Sequence, residues 1–251
     1  MPLSNGAPTR AQTSLLQWIA DIGAVTAPAL ATLQATSVRS ARARLAAAGR
    51  AGLVTRERPL AGEASIYTLS PAGLHRCGLC AAEAVRVSPV NAAHLIACAE
   101  VAGALASRYP DHGVLGERAL RRFERQAATV LASAVLGRGP GGEPLLHRPD
   151  LVLWPLAGAS LPVAVEVELT IKAPRRLAQI CRAWARCREV AGVVYLAAPT
   201  VELPLARAVA EADAADAIVA LPLGALAPGE PAAREDRAGA GAATRTVADS
   251  A

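Results

Sequence analysis

Residues 11–22 place Leu15, Leu16, Ile19 and Ile22 at helical spacing, an apolar stripe on a polar segment. Thr26 reads as the cap of a second short helix, APALATLQA. Ser37 reads as the cap of a third, SVRSARARLAAAG, which stops at Gly49. The apolar face of that third helix is Val38, Ala41, Leu45 and Ala48, with Arg39, Arg42 and Arg44 on its other faces. Two alternating runs, near 52–57 and 64–69, flank a turn containing Pro and Gly and predict a β-hairpin. Residues 72–108 read as helical with a break at Ser88–Pro89, 110–116 as a loop, 117–136 as a helix, and GRGPGGEP as a turn. From Leu145 the period shortens. LLH, DLVLW and LPVAVEVELTI predict strands, APRRLAQICRAWARCREV a helix, VAGVVYLA a strand, VELPLARAVAEADAA a helix and AIVAL a last strand.

Three helices followed by a hairpin is the order of a winged helix-turn-helix, expected over residues 10–74. A helical connector is expected over 75–115. An α/β domain with the order αβββαβ and a further αβ follows over 116–224. Residues 225–251 are rich in Ala, Gly, Pro and charge, and predict a disordered tail. The fold class expected is therefore α+β in two domains.

The chain has 251 residues, a formal net charge of +5 and 53% hydrophobic residues, enough to build buried cores. The basic excess fits a polyanionic partner. Five cysteines form no even disulfide framework of the secreted kind. No apolar segment follows a basic start, and the apolar run at 92–106 is interrupted by Glu100. A cytoplasmic protein with no membrane partner is expected.

Between Ser37 and Arg58 stand six arginines and one acid, Glu57. A recognition helix presents its N-terminal residues to base edges, and arginine pairs bidentately with guanine or phosphate. The expected DNA contacts are Ser37, Arg39, Ser40, Arg42 and Arg44 on the third helix, with Arg56 and Arg58 on the wing. Solvated surface arginines, or a protein-docking winged helix, are the alternatives. Duplex DNA is the expected partner, and a homodimer remains open.

A second constellation lies in PVAVEVELTIK. Alternation sends Val163, Val165, Val167, Leu169 and Ile171 to a buried face and Glu166, Glu168, Thr170 and Lys172 to the other. The two glutamates then project side by side, about 7 Å apart. Asp150 begins the preceding strand, directly after His147, Arg148 and Pro149. Asp150, Glu166 and Glu168 can form an oxygen cage for Mg2+, which would activate water and neutralise phosphate charge. Lys172 is the single lysine beside 25 arginines, and it stands next to this motif. A solvated strand face paired with arginines is the alternative. Pro149-Asp150 followed, after fifteen residues, by Glu166-Val167-Glu168 resembles the PD-(D/E)xK nuclease signature, with Glu168 where lysine is usual. That resemblance implies a C-terminal α/β restriction-endonuclease-like domain, with Asp150, Glu166, Glu168 and Lys172 as catalytic residues and Mg2+ as cofactor if it is active. A winged-helix transcriptional regulator with an inactive nuclease-like domain is the alternative.

Cys77-x2-Cys80-x13-His94-x3-Cys98 formally matches zinc-finger spacing, and His94 and Cys98 would share a helix face. Cys77 and Cys80 fall in a segment read as helix, without a zinc knuckle, so zinc is not expected.

Over residues 10–224 the chain resembles the replication-relaxation family of actinobacterial plasmids and mobile elements. The resemblance rests on IYTLSPAG, AAHLIACAEV, ERALRRFER, and HRPDLVLWP followed by VAVEVELT, in that order. It implies DNA binding in plasmid replication or relaxation and does not by itself imply catalysis.

Overall fold

The computed structural model describes residues 10–158 and 160–226. The expected tail lies, from residue 227 onward, outside the described residues. The chain begins with α1 (Arg10–Ile22), β1 (Val25–Thr26), α2 (Ala27–Leu33) and α3 (Val38–Arg50). The hairpin strands β2 (Val54–Glu57) and β3 (Ile66–Leu69) follow. Thr26 Oγ1 accepts a hydrogen bond from Ala29 N at 3.2 Å, and Ser37 Oγ accepts one from Ser40 N at 3.1 Å. Each cap satisfies an amide that the first helical turn leaves without a partner. The two-residue strand β1 adds to β3, giving an antiparallel sheet in the order β1-β3-β2. Leu16, Ile19, Leu30, Leu45 and Tyr67 pack into one core beneath it. Val38 departs from the expected apolar face. It is the first residue of α3, one turn ahead of the first buried position at Ala41, and stays 38% exposed.

The helix expected from residue 72 is only one and a half turns long: α4 (Pro71–Arg76). It stops at Cys77, before Gly78 in the left-handed region at φ 72°. The next helix, α5 (Pro89–Arg108), starts in a capping box between Ser88 and Asn91. Its apolar residues point in two directions. Ala92 and Ile96 pack with Ala24 and Ile66. Val101, Ala102 and Leu105 pack with Leu151, Val165, Val167 and Leu196. By length and composition α5 could cross a membrane, but Ala92, Ile96, Ala99, Val101, Ala102 and Leu105 are buried inside the protein.

Residues 112–116, expected as part of a loop, form β4 (His112–Gly116). The helix expected over 117–136 ends early, as α6 (Glu117–Ala127), at Ala128 with φ 50°. The β-branched Thr129 and Val130 follow, and the chain turns into a separate hairpin of β5 (Ala134–Arg138) and β6 (Pro144–His147). Then come β7 (Leu151–Pro155), β8 (Val163–Glu168), α7 (Pro174–Ala185), β9 (Gly192–Ala197), α8 (Pro199–Glu211), β10 (Ile218–Pro222) and a 3-10 turn at Leu223–Leu226.

The main sheet has the order β10-β9-β8-β7-β4. β7 runs antiparallel to both of its neighbours, β4 and β8, while β8, β9 and β10 are mutually parallel. The LLH run expected as the first sheet strand therefore lies in β6, outside the sheet, and β4 takes its place. The difference is one of burial: Pro144 and Leu145 are exposed, whereas Val114 of β4 enters the core. The molecule is α+β, with this mixed sheet packed against α5 on one face and α7 and α8 on the other.

Strand β8 lies at the centre and is covered on both faces. Val165 and Val167 face α5, and Ala164 faces α7. Glu166 and Glu168, expected on a solvated or open face, are buried. The alternation ends with the strand at Glu168, so Leu169 is only half-buried and Ile171 is exposed.

Candidate functional site

The register Leu151↔Val165 between β7 and β8, continued by one residue, places Asp150 opposite Glu166. Asp150 stands in the bend just before β7, and its backbone oxygen accepts from Glu117 N at 3.1 Å, at the start of α6. Strand end, central strand and helix start thus meet at one point. They enclose a cavity of about 480 Å³ lined by Asp150, Glu166, Glu168 and Lys172, together with His94, Glu117, Arg121, His147 and Arg148. All four catalytic candidates from the sequence are in this cavity.

Each carboxylate has a defined partner. Asp150 Oδ2 accepts from Val167 N at 2.8 Å, while Asp150 Oδ1 lies 3.0 Å from His94 Nε2. Glu166 Oε1 takes two contacts, His147 Nε2 at 2.7 Å and the indole N–H of Trp184 at 3.1 Å. The His147 and Trp184 rings meet edge to face, with centroids 5.8 Å apart. Lys172 lies past the end of β8 and reaches back to Glu168. Arg148 is held by the buried Glu124 at 2.8 Å, and Arg121 pairs with Glu117. The permanent cations of the cavity are thus assigned to Glu168, Glu124 and Glu117. Asp150 and Glu166 face imidazoles instead, a donor set open to a divalent cation.

Burial raises the Glu166 carboxyl above its ordinary value, and the His147 hydrogen bond pulls against it. His94 is also raised, first by its hydrogen bond to Asp150. Burial holds the Cys98 thiol well above its ordinary value, and the charges of Asp150, Glu166 and Glu117 add to that effect.

Sequence reasoning did not assign His147 or Arg148 a role at this site. His147 and Arg148 had a visible signal, adjacency to Pro149-Asp150. Trp184 comes from the helix after β8, where the nuclease resemblance loosely implies a polar and an aromatic residue, Gln179 and Trp184. His94 and Cys98 do share a helix face, with Cys98 Sγ 3.4 Å from His94 Nε2. The other half of the formal zinc spacing is elsewhere: Cys80 Sγ lies against His75 Nδ1 at 3.2 Å.

The nucleic-acid candidates form a separate surface. Ser37, Arg39, Arg42 and Arg44 are exposed on α3, and Arg56 and Arg58 are exposed on and beside β2. Ser40 is half-buried and gives its amide to Ser37. Arg44 reaches Gln34, and Arg56 Nε donates to Ser65 Oγ at 3.1 Å. Among the described residues, none of these arginines is in an ion pair. A further exposed row, Arg175, Arg176, Arg182, Arg186 and Arg188, runs along and just beyond α7, where Arg182 pairs with Glu211.

The fold and site define an α+β protein with a helix-and-hairpin module and a carboxylate cavity at the end of the central strand of a mixed sheet. The model of the replication-relaxation family matches residues 16–195, and the chain belongs to that family. No curated protein and no solved structure matches it.

Proposed function

We propose that this protein binds duplex DNA through a winged helix (α1 to β3) and nicks it at a PD-(D/E)xK-like Mg2+ centre. The role is in plasmid or mobile-element replication or relaxation. One observation carries the reading: Asp150, Glu166, Glu168 and Lys172, drawn from separate parts of the motif, line a single cavity. Among the described residues, Asp150 and Glu166 have imidazoles and no arginine or lysine at ion-pair distance. Such a donor set suits a hard divalent cation, which when bound activates water and stabilises charge on phosphate. Within the chain, His147 and Trp184 fix the orientation of Glu166. Val167 N fixes Asp150. Lys172 places a positive charge beside Glu168, where the leaving strand's phosphate charge would develop. Exposed arginines on α3 and β2 would hold the duplex backbone and base edges.

A second reading, a winged-helix regulator whose nuclease-like domain is inert, is favoured by one observation: every carboxylate of the motif already has a side-chain partner. Incubation of the protein with supercoiled plasmid separates the two. The nuclease reading expects open-circular product that needs Mg2+ or Mn2+ and forms slower by on the order of 100-fold or more in Glu166→Ala. Equal product from Glu166→Ala, or none from the unmodified protein with either metal, leaves the regulator.

A further inference from the structure

Helix α5 brings His94 to the cavity and Cys98 directly beside it. His94 and Cys98 are four residues apart, so their side chains leave the same face of the helix. His94 Nε2 lies 3.0 Å from Asp150 Oδ1 and 3.4 Å from Cys98 Sγ. The three ligand atoms all fall within 4.8 Å of one another. A tetrahedral ion, with bonds of about 2.3 Å to sulfur and about 2.0 Å to nitrogen or oxygen, needs such atoms roughly 3.3–3.5 Å apart. The two pairs that include His94 Nε2 stand near that spacing, at 3.0 and 3.4 Å, and the third pair lies within 4.8 Å.

A proton on His94 Nε2 shared between Asp150 Oδ1 and the Cys98 sulfur would satisfy the sulfur only weakly, because a thiol sulfur is a weak acceptor. A cation at the centre satisfies all three atoms together. The supporting contact is also in place, because Val167 N binds Asp150 Oδ2 and leaves Oδ1 turned toward His94. The His94 side chain is 41% exposed and lines the cavity, so a fourth coordination position opens onto it.

We infer that His94, Cys98 and Asp150 form a three-ligand site for a thiophilic divalent cation of the zinc class, with its open position facing the cavity. The sulfur and imidazole donors select zinc or cobalt over Mg2+. The zinc reading set aside from the sequence required Cys77 and Cys80; this set replaces them with an aspartate distant in the chain. The site shares Asp150 with the proposed nuclease centre but does not depend on cleavage.

The test is titration of the full chain, stripped by chelator, with Co2+ alone, followed by absorption. One equivalent should produce a thiolate-to-cobalt charge-transfer band and tetrahedral visible bands. Zn2+ should displace them and Mg2+ should not. Cys98→Ser should abolish the charge-transfer band, and His94→Ala should weaken binding by more than about tenfold. The Cys77→Ser/Cys80→Ser double variant should keep the band. Absence of the band in the unmodified protein, or its survival in Cys98→Ser, overturns the inference. A band in protein that nicks no plasmid upholds this site and removes the cleavage reading; nicking without the band does the reverse.

Discussion

His94 and His147 each hold one carboxylate of the cavity, and the protonation of His94 bears on its contact with Asp150. For His94 the sign is defined. Its value is raised above the ordinary 6.5, chiefly by the hydrogen bond to Asp150. The contribution to stability is therefore complete below 6.5 and is lost as the pH rises through the higher folded value. In chelator, His94→Gln should lower Tm more at about pH 6 than at about pH 8. Thermal melts at the two pH values check this, and an equal loss at both would contradict the ion pair. At this scale the sequence exposes residues with a motif around them. Asp150, Glu166 and Glu168 announce themselves by spacing, and Lys172 by being the single lysine. Trp184 and His94 come from distant segments, and spacing says nothing about which helix the fold lays over a strand.

Among the elements, α5 joins the two parts of the molecule. It packs on α2, β1 and β3 on one side and on β4, β7 and β8 of the sheet on another. Gly103 makes this possible: a Cβ there would stand 2.6 Å from the backbone oxygen of Ala29, on α2. Gly103→Ala should therefore force the two helices apart and destabilise the fold by about 1–3 kcal/mol. Urea unfolding would show a lower midpoint, and an unchanged midpoint would mean that the helices do not touch there. The elements legible in the sequence are those with strong local signals: the Thr26 and Ser37 caps, the apolar stripe of α1 and the valine run of β8. β4 was not legible. His112-Gly113-Val114-Leu115-Gly116 has two glycines and follows a turn, which locally favours a loop. Pairing with β7 overrides that preference. The end of α6 was missed for a similar reason, since its apolar residues continue beyond Ala128 into β5 with no glycine or proline between them.

Across the whole molecule, the arginines of α3 and β2 and the acids of the cavity are two surfaces of opposite chemistry in one chain. The arginines remain exposed, which disfavours a docking module that would cover them with its own chain. Their spacing along α3 was legible, but the three-stranded completion of the hairpin by β1 was not, because two residues carry no period. Duplex binding through these arginines is the claim on which the account stands. Anisotropy of a labelled duplex, titrated with protein between about 50 and 200 mM salt, measures it directly. The account predicts that log affinity falls linearly with log salt, and that Arg39→Ala and Arg42→Ala each weaken binding and reduce the slope by about 1 if they contact phosphate. Binding that ignores salt, or that is unchanged when both arginines are removed, would contradict it.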